Sequence, residues 1–298
     1  MLPLRNIKRF IAKAVKQPGY ALRVFLKRSH AYLYYRLARG KSSPPEAITF
    51  FLTHKCNLHC KMCGQWGEGG VTKKEGAGFV EQELSLGTIQ ALLDEVSGFY
   101  PNITLFGGEP LLYKNIIQVI RSIKSRSLHC LMITNGSLIY GYARELVEAG
   151  LDELNISLDG KSQLHDDIRQ MPGLYERITL GIKKVNQIKK ELRCNKPLIN
   201  LQCTVNRDNY LRLEEMVEVA DELGADSLTY HNLIFTTTKV LAKQKEADIK
   251  LDASSKDWEG FAFASGIDAE ALFNKFKLIA AIPHKFNIDF YPNFSSKA

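Results

Sequence analysis

A parallel α/β fold is predicted by three observations. Six apolar runs of β type alternate with stretches of helical periodicity, glycines stand where two of those helical stretches should stop, and 45% apolar with 24% charged residues over 298 positions is enough for one large core. Six βα units can build part of a barrel or a doubly wound sheet. In either, ligands are expected at the carboxyl ends of the strands.

The chain opens on a basic arm. Residues 1–41 hold eleven Lys and Arg and no acid, leaving 29 basic against 32 acidic residues, a net −3, for the remainder. A mildly acidic body argues against a nucleic-acid-binding core. Charges interleaved with Phe10, Tyr20, Phe25, Leu26, Tyr32, Leu33, Tyr34, Tyr35 and Leu37 predict one or two amphipathic helices, broken near Pro18-Gly19. Two roles follow: a solvated flank packed on the main domain, or attraction to an anionic membrane surface, a polyanion or an acidic partner. Lys41-Ser42-Ser43-Pro44-Pro45 then reads as a stiffened linker.

The predicted strands are 48–53, 103–106, 128–134, 153–157, 198–205 and 227–233. Between them, Ile89, Leu92, Leu93 and Val96 follow Ser85 as N-cap. Ile116, Ile117, Ile120 and Ile123 form the next stripe, and Leu138, Leu146 and Val147 the third, stopped by Gly150. The fourth is Ile178, Ile182, Val185 and Leu192; the fifth is Leu213, Met216, Val217, Ala220 and Leu223, ended by Gly224. Residues 239–259 are polar and weakly patterned, suiting a mobile connection or lid. Leu272, Phe273, Phe276, Ile279 and Ala280 mark a last helix, followed by a short strand-like run at 287–291. The expected organisation is an arm over 1–41, a core over 42–236, and a linker with a helix and strand extension over 237–298, the start of an incomplete domain.

Arg23, Lys27 and Arg28 interrupt any apolar run that could serve as a secretory signal, and no stretch approaches a membrane span. Six cysteines, three of them within eight residues, do not read as a disulfide framework. A reducing cytoplasm is expected, with the arm offering peripheral contact at the inner membrane surface.

Chemistry concentrates at Cys56-Asn-Leu-His-Cys60-Lys-Met-Cys63, just past the first predicted strand. Thiolates select iron–sulfur clusters or zinc. Three cysteines on a tetranuclear cluster would leave one iron open for a substrate or cofactor. Zinc would use the same thiols with His54 or His59 as fourth ligand. Cys130, Cys194 and Cys203 read as small buried hydrophobes.

The C-x3-C-x2-C spacing of Cys56, Cys60 and Cys63 resembles that of the radical S-adenosylmethionine (SAM) superfamily, and further segments resemble it in order. Gly107-Gly108-Glu109-Pro110 follows the second strand, Thr134-Asn135-Gly136 the third, and Ser157-Leu-Asp159-Gly160 with His165-Asp166-Asp167-Ile168-Arg169 the fourth. The resemblance covers residues 46–236 and implies a partial (β/α)6 barrel. It implies a [4Fe-4S] cluster on the three cysteines, with the backbone of residues 107–110 holding the SAM amino group and Glu109 orienting that loop. Ser157 and Arg169 would serve the ribose hydroxyls and the carboxylate, Arg suiting bidentate recognition. Asp159 would hold its own loop, and Thr134 would lie on the adenosyl side.

The implied activity is reductive cleavage of SAM to methionine and a 5′-deoxyadenosyl radical that abstracts hydrogen from a peptide, small precursor or lipid-like substrate, fed by a donor such as flavodoxin or ferredoxin. This branch often continues into a cysteine-rich SPASM or twitch domain, whereas no cysteine follows Cys203. Met62 and Gln170 depart from residues common in the branch. The loop 64–83, with Trp66 and glycines at 67, 69, 70, 76 and 78, is expected to close over substrate, and Tyr230, His231 and Asn232 to face the cavity mouth. A catalytically silent zinc or iron–sulfur module recruited through the arm is the rival from another class. A metal-dependent barrel lyase is disfavoured, since the other strand ends show no His and carboxylate ligand set.

Overall fold

The computed structural model describes residues 11, 14–38, 40–254, 256, 258–263 and 266–291. Seven strands form one sheet: β1 Ala47–Phe51, β2 Asn102–Phe106, β3 His129–Thr134, β4 Glu153–Ser157, β5 Leu198–Val205, β6 Ser227–Asn232 and β7 Asn287–Tyr291. They lie in sequence order, and every neighbouring pair is parallel. A doubly wound sheet would reverse its order at a switch point. This one never reverses, so right-handed crossovers put the intervening helices on one side and the sheet curves as a partial barrel.

Alternation along the strands separates the two faces. Ile103, Leu105, Leu154, Ile156, Ile199, Leu201, Val205 and Leu228 are buried against helices. The opposite parity is polar from β4 onward: Glu153, Asn155, Asn200, Gln202, Thr229, His231 and Asp289 line an inner cavity of about 600 Å³. That alternation corrects one expectation. His231 faces the lumen, but Tyr230 points the other way, its ring stacked on Phe290 and its hydroxyl donating to the Leu213 carbonyl at 2.8 Å.

The helices are α1 Pro18–Leu37, α2 Val71–Lys74, α3 Ala77–Val80, α4 Leu86–Val96, α5 Ile116–Ser125, α6 Ile139–Glu148, α7 Gln163–Arg169, α8 Leu174–Glu191, α9 Glu215–Glu222, α10 Thr238–Leu251 and α11 Ala269–Ala281. Ser85 caps α4, its hydroxyl accepting from the Thr88 amide at 3.0 Å, an arrangement that stabilises by about 1 kcal/mol. In α5, Ile116, Ile120 and Ile123 of the expected stripe are buried together with Val119, whereas Ile117 is half-buried. Residues 14–16 are helical, Gln17 is not, and Pro18 opens α1, so the helical run is interrupted where expected; the fixed φ and missing N–H of Pro18 are harmless in a first turn.

Three more expectations change. Most of 239–259 is helix α10, not an irregular connection: Thr237 caps it by accepting from the Val240 amide at 3.2 Å. None of its residues is buried, so no apolar stripe announced it. The run at 287–291 joins β6 as β7, extending the sheet past residue 236. Cys130 and Cys203 are buried as expected, whereas Cys194 is half-buried.

Helix α1 crosses the floor of the barrel, at the amino ends of the strands. Tyr20 stacks on His129 with ring centroids 4.1 Å apart, and Arg23 donates to the Ser127 carbonyl at 3.2 Å and lies over the Tyr100 ring. Lys27 donates to the carbonyls of Phe99 and Tyr100, Arg28 pairs with Glu46 at 3.0 Å, and Lys16, just before the helix, pairs with Asp226. Among the described residues no helix is long and apolar enough to cross a membrane. Residues 1–10, 12, 13, 39 and 292–298, including Arg5, Lys8, Arg9, Phe10, Lys13 and Arg39 of the arm, lie outside the described residues.

Candidate cluster and cofactor site at the strand ends

The site grows from a backbone splice between the exits of β1 and β2. The Gly108 amide donates to the Thr53 carbonyl and the Glu109 amide to the Lys55 carbonyl, both at 2.8 Å, immediately before Cys56. A Cβ at Gly108 would stand 2.2 Å from the Lys55 carbonyl oxygen, and one at Gly107 2.6 Å from that of Thr53. The paired glycines are therefore required by the chain's own close approach.

Glu109 extends the splice to β3. Fully buried, its carboxylate accepts from the amides of Leu111 at 3.0 Å and Asn135 at 2.7 Å and from the Thr134 hydroxyl at 2.7 Å. Burial pushes its pKa up and these donors oppose the rise. Thr134 is committed to this network, since its Oγ1 also accepts from the Gly136 amide. Pro110 is buried in the short 3₁₀ turn that Glu109 caps.

The third piece comes from β4 and α7. Asp159 is fully buried; its carboxylate accepts from Arg169 Nε at 2.5 Å and from the Thr204 amide at 2.8 Å. Its own amide donates to His165 Nδ1 at 3.0 Å, and Asn209 Nδ2 donates to its carbonyl at 2.8 Å. Burial alone would lower the Arg169 pKa, but Asp159 and Cys60 outweigh it and hold the guanidinium charged. Burial also depresses His165 to about 4, keeping it neutral. Ser157 ends β4, half-buried.

These elements converge on the cysteine loop, and each sulfur meets an N–H from a different part of the chain. Asn135 Nδ2 approaches Cys56 Sγ at 4.0 Å, Arg169 Nη1 approaches Cys60 Sγ at 3.8 Å, and the Trp66 amide donates to Cys63 Sγ at 3.3 Å. Asn135 also donates to Asn57 Oδ1, and the Trp66 indole to the His54 carbonyl. Burial pushes Cys56 up to about 12 and raises Cys60 as well, so bare thiolates are disfavoured until a cation joins them. Soft sulfurs with N–H donors form the surroundings that tune an iron–sulfur cluster. Among the described residues no three His, Cys, Asp or Glu side chains are arranged to hold a single metal ion. The donor set, three soft sulfurs with N–H groups beside them, fits an iron–sulfur cluster.

Within the loop 64–83, α2 and α3 form. His54 packs between the rings of Phe51 and Phe79, and the Phe261 ring fills the space beside Gly64. Asn135, Trp66, Thr204 and Asn209 are the site residues that sequence reasoning left without a role. Only Asn135, inside the segment Thr134-Asn135-Gly136, and Trp66, just after the cysteine triplet, carried any local signal.

The radical SAM superfamily model matches residues 50–199, and the chain belongs to that superfamily. Its members use a [4Fe-4S] cluster and SAM. Among relatives, the AdoMet-dependent heme synthase of Oleidesulfovibrio alaskensis is 33% identical over 60% of this chain and 43% of its own. A probable GTP 3′,8-cyclase of Saccharolobus solfataricus is 30% identical over 62% of this chain and 56% of its own. The chain thus spans about half the length of the curated relatives it matches. In fold it resembles Streptococcus suis SuiB bound to S-adenosylmethionine, with a TM-score of 0.63 over 97% of this chain and 64% of that one, at 13% identity.

Proposed function

We propose that this chain is a radical SAM enzyme in which Cys56, Cys60 and Cys63 hold a [4Fe-4S] cluster. When bound, the cluster and SAM supply reductive cleavage of the sulfonium and hence a 5′-deoxyadenosyl radical for hydrogen abstraction. The observation that carries the reading is the meeting of three thiols with three N–H donors from separate elements, inside the matched family segment. The chain's own residues do the positioning. Gly107, Gly108, Glu109 and Pro110 fix the turn whose free backbone groups hold the SAM amino group. Thr134 steadies Glu109. Arg169, aimed by Asp159, offers its remaining N–H groups to the carboxylate, and Ser157 serves the ribose.

We read residues 42–236 as the core, to whose sheet residues 237–298 add β7, with Phe261 of the same extension packed on the cysteine loop. The cysteines suit a reducing cytoplasm and the cluster an external reductant such as flavodoxin or ferredoxin. Relatives named for heme synthesis and for GTP cyclisation differ too much in substrate for either to be carried over. A peptide or small precursor admitted to the polar lumen is the reading the cavity supports. The arm we assign to an anionic surface.

Anaerobic reconstitution with iron and sulfide, reduction with dithionite and addition of SAM should yield 5′-deoxyadenosine from the native chain and none from Cys60→Ala. Zinc retention without iron would establish the silent binding module instead.

A further inference from the structure

An ordinary surface helix turns its apolar stripe to the core and its charges to water; α1 departs from this, resting on the floor through Tyr20 and Ala21 while tying cations to the same side. Here Arg23, Lys27 and Arg28 face the barrel floor, held by Ser127, Phe99, Tyr100 and Glu46. Leu22, Leu26, Leu33 and Leu37, at helical spacing, face away, with relative exposures of 58, 58, 55 and 82%. Four leucines held outward along a helix about 30 Å long form a face that water disfavours.

Charge selects its occupant. No acid precedes Glu46, and Arg36, its guanidinium over the Tyr32 ring, stands on α1 next to Leu37. A second copy of the helix would bring like charges together without a compensating acid. An anionic lipid surface complements both the leucines and the cations.

We propose that the Leu22–Leu26–Leu33–Leu37 face of α1 lies in the interface of an anionic membrane, with the barrel floor toward the lipid and the cysteine loop facing water. The orientation follows from the contacts: α1 meets the floor at Glu46, Tyr100 and Ser127, which precede strands, at His129, which opens β3, and, through Lys16, at Asp226. The cysteine loop is at the other end, toward water. This goes beyond the catalytic reading and does not depend on it.

Both tryptophans report on the mouth: Trp66 sits in the cysteine loop, and the Trp258 ring lies 5.4 Å from that of Phe261, which packs on Gly64. The full reconstituted chain is mixed anaerobically with phosphatidylcholine vesicles, with and without phosphatidylglycerol. Expected are pelleting only with the anionic vesicles, at least tenfold weaker binding (~10-fold or more) for the double variant Leu26→Glu/Leu33→Glu, and an unchanged melting curve for that variant. Brominated lipid should leave the native tryptophan emission intact and quench the added fluorophore of Leu33→Trp. Equal binding by the double variant overturns the proposal, as does quenching of the native tryptophans without that of Leu33→Trp. A vesicle-independent dimer that the double variant abolishes would overturn it in favour of a second copy.

Discussion

The two ends of the barrel use charge differently. At the mouth, Asp159 and Arg169 form a pair in which Asp159 is wholly buried and the Arg169 side chain is 11% exposed, tied further to the Thr204 amide and the Cys60 sulfur. At the floor, Arg28 and Glu46 pair with side chains 69 and 44% exposed. Buried charges without partners cost several kcal/mol, whereas exposed pairs are screened by water. The mouth is thus a fixed constellation in which each group depends on the others. The contact of α1 with the floor is a seam of individually weak ties that holds a helix in place, although the floor itself buries Asp152 between Lys124 and Lys196.

That contrast can be broken by substitution. Asp159→Asn leaves Arg169 buried without its carboxylate and should cost about 3–5 kcal/mol in urea unfolding; a loss near that of a surface pair would mean the constellation is not interdependent. The next effect is in pH. Because His165 titrates near 4 in the fold and near 6.5 when unfolded, the unfolded chain binds more protons between those values. Stability is then fully present above about 6.5 and falls by about 3 kcal/mol as pH drops toward 4. His165→Asn should flatten that slope, and an unchanged slope would assign it elsewhere.

Gly108→Ala places a Cβ against the Lys55 carbonyl and should cost about 2 kcal/mol, with reduced iron retention after reconstitution; full stability and iron content would show that the splice yields easily. Smallest is Arg28→Ala at the floor, expected to shift stability by less than about 1 kcal/mol. A larger loss would make the floor as interdependent as the mouth.

The legible parts share a cause. Six strands and the cysteine and glycine motifs could be read because each rests on local chemistry: periodicity, thiol spacing, and glycines where a side chain has no room. Helix α10 was missed because a helix exposed on every side has no apolar stripe to declare it. Tyr230 was assigned to the mouth by its position at a strand end, but the two-residue alternation of β6 turns it into the core. The polar lumen was present as the alternation of Asn200 and Gln202 with Ile199, Leu201 and Cys203, yet it acquires meaning only when neighbouring strands repeat it in register.

By itself the sequence determined an α/β chain, a thiol triplet suited to an iron–sulfur cluster or zinc, and the excess of positive charge in the arm. Tertiary structure decided that the sheet closes partway as a barrel, that Asn135, Arg169 and Trp66 bring one N–H to each sulfur, and that α1 turns its cations inward and its leucines out. The physical reason is separation along the chain. Local composition fixes what a segment can form, but Cys60 and Arg169 stand 109 positions apart, and only packing chooses which distant groups meet.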